Sequence, residues 1–202
     1  MLEKNFDQKS TEFMNLFMHK YYNLLSQRKD SFLKIFHHLI SLRKESYFIL
    51  ETGMCRLENN FSGDGMSTIL WDEFVNILGG QVYSVDLNPE TVRFAKNKVS
   101  NKTLLFCSDS VSLLHQLSLK EDLPIIDLLY LDSFDLDWNN PHPSSLHHFK
   151  EILAIKSKIK ENCLIMIDDN AMNKGKGKYV DDFMSNINKE KIINDYQIAW
   201  KW

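Results

Sequence analysis

The chain has 202 residues, enough for a substantial buried core, and its 44% hydrophobic and 25% charged content is that of a soluble globular protein. A formal net charge of −3 argues against a nucleic-acid binder, no stretch reads as a secretion signal, and no apolar run approaches a membrane span. Cys55, Cys107 and Cys163 are odd in number and widely spaced in or beside predicted strands, which fits reduced packing cysteines in a cytoplasmic protein better than disulfides or a zinc site.

Residues 1–45 read as two amphipathic helices, with Phe13, Leu16, Phe17, Tyr21, Leu24 and Leu25 at helical spacing and then Phe32, Ile35, Phe36, Leu39 and Leu42. Ser31 or Asp30 is the expected cap of the second. This helical cap precedes a core at 46–202, the two forming one domain. The core opens on YFIL, a short buried strand ending at Glu51, and a loop carrying Gly53, Gly63 and Gly65, which permit backbone conformations and close approaches that a Cβ would forbid. Ser67 and Thr68 then start a helix with Met66, Ile69, Leu70, Phe74, Ile77 and Leu78 on one side. Gly79 and Gly80 stop it, and QVYSVDLN gives a strand ending in Asp86; Asn88 and Pro89 begin the next helix. TLLFCSDS is a third strand, with Asp109 or Ser110 capping the helix after it. IIDLLYLD is a fourth, with its exit at Asp132. A helix follows whose inward face draws on Leu146, Phe149, Ile152 or Leu153, and Ile159. CLIMIDDN is the fifth strand, ending in Asp168, Asp169 and Asn170; a lysine- and glycine-rich loop and a helix with Val180, Phe183, Met184 and Ile187 lead to a last strand, YQIAWKW.

Alternating strands and helices predict an α/β, Rossmann-like, doubly wound and mostly parallel sheet preceded by N-terminal helices. Ligands of such sheets bind beyond the C-terminal strand ends, and Glu51, Asp86, Asp109, Asp132 and Asp169 all fall there. A strand that empties through glycines into a helix start suits a nucleotide-like ligand.

This pattern resembles the class I S-adenosylmethionine-dependent methyltransferases over about residues 45 to 200, through Glu51-x-Gly53 with GDGMST after it, Asp86, Ser108-Asp109-Ser110, and LYLD ending at Asp132. The resemblance implies that Glu51 and Gly53 lie along the methionine part of S-adenosylmethionine, that Asp86 accepts hydrogen bonds from both ribose hydroxyls, and that Asp109 sits near the adenine amino group with Ser110 or its backbone against the ring. Asp109 reads equally as a plain helix cap. Gly63, Gly65 and Ser67 shape the helix start on the cofactor. Nine residues separate Gly53 from Gly63, longer than the family's usual loop, and Arg56 and Glu58 in that insertion are candidates to grip substrate. A nicotinamide dinucleotide is disfavoured, because G-x-G-x-x-G is missing.

The ends of strands four and five resemble the metal site of catechol-type and sugar O-methyltransferases, which implies a divalent cation such as Mg2+ held by Asp132, Asp169 and Asn170. Such an ion would bind an acceptor hydroxyl and lower its pKa. Asp132 and His142 are the catalytic candidates. The lysine that catechol-type enzymes carry three residues after the strand-four acid is replaced by Asp135, so His142, His147 or His148 is left as the base. The resemblance implies metal-assisted O-methylation of a small-molecule hydroxyl, against two alternatives: a non-catalytic nucleotide- or S-adenosylmethionine-binding domain, and a methyltransferase acting on a macromolecule. The expected partner is a small-molecule substrate, with no nucleic acid and no membrane. The ending shows one evident strand, YQIAWKW, with KII before it as the candidate for a second; an incomplete edge there could pair with another copy, the expected basis of a homodimer.

Overall fold

A computed structural model describes residues 5–64, 66–171 and 175–202. Its seven-stranded sheet consists of β1 (Tyr47–Thr52), β2 (Gly80–Asp86), β3 (Thr103–Cys107), β4 (Leu128–Leu131), β5 (Leu164–Ile167), β6 (Glu190–Asn194) and β7 (Ile198–Lys201), in the order β3-β2-β1-β4-β5-β7-β6. The first five are parallel, and β7 runs antiparallel to both β5 and β6.

Side chains alternate between the two faces of a strand, and the two cores follow that parity. Tyr47, Ile49, Val82, Leu128, Tyr130, Leu164 and Met166 face one cluster, while Phe48, Leu50, Val85, Leu129, Leu131, Ile165 and Ile167 face the other. The first face is covered by α1 (Phe6–Leu16), α2 (Lys29–Ser41) and α3 (Ser67–Leu78). The second is covered by α5 (Ser110–Ser118), α6 (His142–Ile155) and α7 (Lys178–Asn186). Between β2 and β3 lies α4 (Pro89–Lys96), begun as expected by Asn88, whose side chain accepts from the Glu90 N–H with Pro89 in the first turn.

The N-terminal helices are fastened by rings. Phe13 packs edge-on against Phe36 at 4.6 Å and Phe74 at 5.0 Å, and Trp71 meets Phe32 and Phe36 at 5.3 Å each. Each such pair contributes about 0.5–1.5 kcal/mol beyond its buried area. Between α1 and α2 the chain runs through a π turn (Phe17–Tyr21) and two 3-10 turns (Tyr22–Leu24 and Ser26–Arg28). The expected cap at Ser31 or Asp30 is not used: α2 begins at Lys29 directly from Arg28, Ser31 is buried, and Asp30 accepts from the Tyr22 hydroxyl.

One further expectation is corrected. Leu146 and Leu153 are exposed, and α6 turns Ser144, Ser145, His148, Glu151, Ile152 and Ile155 inward. The last strand is not left single: KII falls in β6, which pairs with β7 across a bulge at Lys191–Ile193, so the sheet edge on this side is β6 itself.

Candidate functional site

A cavity of about 320 Å3 opens at the C-terminal ends of β1, β2, β4 and β5. Its floor is set by Gly53, whose φ is +82° and where an added Cβ would lie 2.6 Å from the Asp132 carbonyl oxygen, so only glycine lets the β1 exit press against the β4 exit. Its Gly53 N–H donates to the Val85 carbonyl at 2.8 Å, tying the same turn to β2. Asp86, at the tip of β2, accepts from the N–H groups of Met54 at 3.3 Å and Asn88 at 2.8 Å.

Beside the main cavity is a smaller one of about 150 Å3, lined by Val85, Leu87, Ser110, Phe134 and His147. Its walls are apolar and aromatic, with the Ser110 hydroxyl and the His147 Nε2 2.9 Å apart at one side. Asp86 lines both compartments.

The expected site residues divide sharply. Gly53, Gly63, Asp86, Asp132 and Asp169 line the main cavity, and Asp109 and Ser110 line the smaller one. Gly65 lies outside the described residues. Glu51 does not reach the cleft. It shares the face of Tyr47 and Ile49, sits opposite Ser84 in the β1–β2 register, is fully buried, and accepts from the hydroxyls of Ser67 (2.7 Å) and Ser84. Burial pushes the Glu51 carboxyl up to about 7, against the opposing pull of those hydroxyls. Ser67 is consumed in that buried contact. Asp109 caps α5, taking the Ser112 N–H at 2.8 Å, so the plain cap and the cavity position are held by the same residue.

Neither His142 nor His148 faces the cleft. His142 is exposed at the first residue of α6, where its Nδ1 meets the Tyr179 hydroxyl at 2.6 Å. His148 is fully buried; its Nδ1–H donates to the Ser144 carbonyl at 2.6 Å, and burial lowers its pKa to about 4. In the long loop, Arg56 pairs with Asp64 and Asp135 at the cleft's rim, while Glu58 turns away to Lys98.

At the far end, carboxylate oxygens of Asp132, Asp168 and Asp169 lie within 4.8 Å of one another. Asp168 joins the two expected acids there, and Asn170 is buried, with its side-chain oxygen 2.5 Å from where a Gly177 Cβ would stand. The acids are already met by cations. Arg28 Nε donates to both oxygens of Asp168, at 2.9 and 2.8 Å, and its Nη2 to Asp169 at 3.0 Å. Its Nη1 donates to the Ser62 carbonyl at 3.1 Å, and its guanidinium lies over the Tyr196 ring at 4.7 Å. Lys176 Nζ stands 2.7 Å from Asp132 and 3.2 Å from Asp169, and the Tyr196 hydroxyl donates to Asp169 at 2.7 Å. Burial raises Asp132 well above the usual carboxylate range in spite of Lys176, with Asp168 and Asp169 adding to the rise. Burial would also raise Asp169, but Lys176, Tyr196 and Arg28 outweigh it and bring that acid down. Asp169 also holds a left-handed backbone, φ +48°, a strained conformation of the kind that gathers at functional sites.

No family model matches the chain, and no curated protein matches it in sequence. Solved structures match it in shape. Apo CalS11, described as a TDP-rhamnose 3'-O-methyltransferase of calicheamicin biosynthesis, superposes with a TM-score of 0.62 over 100% of this chain and 97% of its own, at 10% identity. The O-methyltransferase NovP gives 0.59 over 89% of this chain and 79% of its own, at 13% identity. MycE, from the mycinamycin pathway and solved with Mg and SAH, gives 0.57 at 12% identity over 99% of this chain and 55% of MycE, so the chain spans about half of MycE's length. The fold is that of the class I methyltransferases.

Within this class I methyltransferase fold, the residues that sequence reasoning missed are the cations and their aromatic partner. Arg28 sits 140 residues from Asp168 in the chain, in an irregular turn with no motif around it. Lys176 lies in a lysine- and glycine-rich loop where nothing local singles it out, and Tyr196 falls in the segment expected as the last strand.

Proposed function

We propose that the chain is an S-adenosylmethionine-dependent methyltransferase that O-methylates a hydroxyl of a small molecule. The observation that carries this reading is the position of Asp86, an acceptor-only group lining both a small, partly apolar compartment and a larger polar one. A purine suits the smaller compartment, between Leu87, Phe134 and His147, and a ribose beside Asp86 would offer two hydroxyls to its carboxylate. The methionine portion would then run past Gly53 toward Asp132. Three carboxylates against two cations leave that end of the cleft with one formal negative charge in excess, the complement of a sulfonium.

S-adenosylmethionine supplies a methyl group on a positively charged sulfur that departs as a neutral thioether. The protein's part is to hold the acceptor oxygen in line with that methyl, exclude water and receive the hydroxyl proton. Asp132 is the group placed for the last task, since it lines the cavity and burial makes its carboxylate a better proton acceptor. The open rim, with Arg56, Asp135 and the half-exposed Phe134, offers both polar and aromatic surface to an acceptor. The similarity to enzymes whose names specify O-methylation supports an oxygen acceptor.

The divalent cation expected from the sequence does not fit as expected. Hard carboxylate donors converge, yet Lys176 and Arg28 already engage them, so no step here passes through a metal. The test is a screen of hydroxylated metabolites for formation of S-adenosylhomocysteine, paired with mass spectrometry of the acceptor for one added methyl. Product carrying the methyl on oxygen supports the reading. Transfer to nitrogen or carbon, or no thermal stabilisation of the protein by S-adenosylhomocysteine, would refute it.

A further inference from the structure

The acidic cluster at the β4 and β5 exits has the spacing of a cation site, and the cation in it is a side chain. Carboxylate oxygens from Asp132, Asp168 and Asp169 lie within 4.8 Å of one another, close enough to ligate one hard ion. Lys176 bridges two of those acids, and Arg28 takes both oxygens of the third. We propose that Lys176 is a built-in replacement for a divalent cation, so that this cleft excludes magnesium and manganese rather than recruiting them.

Lys176 is only 2% exposed, so its ammonium cannot swing into solvent as a surface lysine would. Its own backbone N–H donates to the Asp169 carbonyl at 3.0 Å, which ties the chain to the residue its side chain neutralises. The preceding residue has to be glycine for this approach, because a Cβ at Gly175 would lie 1.7 Å from the Asp169 carbonyl oxygen. The lysine is therefore held by direct packing of its backbone on Asp169 and Asn170, and displacing it means breaking that contact. A dication entering the cluster with Lys176 in place would have an ammonium and a guanidinium as near neighbours, and both of Asp168's oxygens would have to be taken from Arg28. A lysine carries one charge where a divalent ion carries two, so the Lys176 cluster keeps one more negative charge, matched to a cationic ligand rather than a neutral one. The inference concerns cation binding alone and does not rest on methyl transfer.

Manganese is the direct probe, because its electron paramagnetic resonance signal separates free from bound ion without any turnover. The wild-type protein is expected to leave Mn2+ free up to millimolar concentrations, and Lys176→Ala to bind one equivalent at least tenfold more tightly than wild type. Adding Asp132→Asn to Lys176→Ala should abolish that binding. Lys176→Met, which keeps the stem and removes the charge, covers the case in which the alanine variant fails to fold. One tightly held Mn2+ in the wild-type protein would overturn the inference. So would a folded Lys176→Ala or Lys176→Met protein that gains no Mn2+ site.

Discussion

The two halves of the cleft are built on opposite plans. On the β1–β2 side the chain offers backbone and one carboxylate: Gly53 pressed against the β4 exit, and Asp86 held by two neighbouring N–H groups. Those contacts are local, between residues a few positions apart or on adjacent strands. On the β4–β5 side, charges are brought together from across the chain, with Arg28 from the N-terminal cap and Lys176 from the loop after β5 closing on three acids. A site assembled from local turns is independent of global stability to first order. A site braced by buried ion pairs is part of what holds the fold together.

That contrast predicts the largest effect at Arg28. Arg28→Ala leaves Asp168, which is 1% exposed, without the guanidinium that its two oxygens share, and loses the link from the cap to Ser62 and to the end of β5. Breaking a buried pair from one side costs about 3–5 kcal/mol, so urea unfolding should show a loss of that order; a loss near zero would erase the distinction between the halves. Asp86→Ala should do the reverse. S-adenosylhomocysteine affinity is expected to fall about 10- to 100-fold, from the loss of charge-assisted hydrogen bonds of about 1.5–3 kcal/mol, while the unfolding midpoint stays close to wild type.

Glu51 gives a pH test between these extremes. Its folded pKa, about 7, is above that of an unfolded glutamate, so the folded state binds the proton more tightly. Its contribution to stability is complete below the unfolded value and is lost as pH rises through the folded one, a change on the order of 1–3 kcal/mol between about pH 4.5 and pH 7. In Glu51→Gln this component of the slope should vanish, as read from thermal midpoints between pH 5 and pH 8. An unchanged profile would mean that Glu51 ionises normally. The smallest effect is expected at Arg56, whose pair with Asp135 is half-exposed or more on both sides. Arg56→Ala should change stability by less than about 1 kcal/mol, so that any larger change in an acceptor's KM reads as contact with substrate.

The same contrast explains what was legible in the sequence. Strand and helix order, the α/β sheet and the role of Gly53 follow from periodicity and turn chemistry, which are local. Asp86 was legible for the same reason: it ends a β strand just before an Asn-Pro helix start. Glu51 ends a strand, which suggests the rim, but its parity with Tyr47 and Ile49 puts its side chain under α3. The inward face of α6 was hidden because Ser144, Ser145, His148 and Glu151 occupy it, so no apolar stripe marked it. Of the short strand β6 only KII stands out in the sequence, because Glu190 and Lys191 are exposed and the strand carries a bulge. Arg28 and Lys176 had no local signal at all, since their partners are fixed only by tertiary contacts.

The central claim is that one cleft holds an adenosine at Asp86 and a charged, self-neutralised acid cluster beyond it. Isothermal titration of S-adenosylhomocysteine into wild type, Asp86→Ala and Lys176→Met tests it most directly. The account predicts saturable one-to-one binding to wild type, weakened about 10- to 100-fold in Asp86→Ala and retained in Lys176→Met. Absence of binding to wild type, or equal affinity in Asp86→Ala, would contradict it.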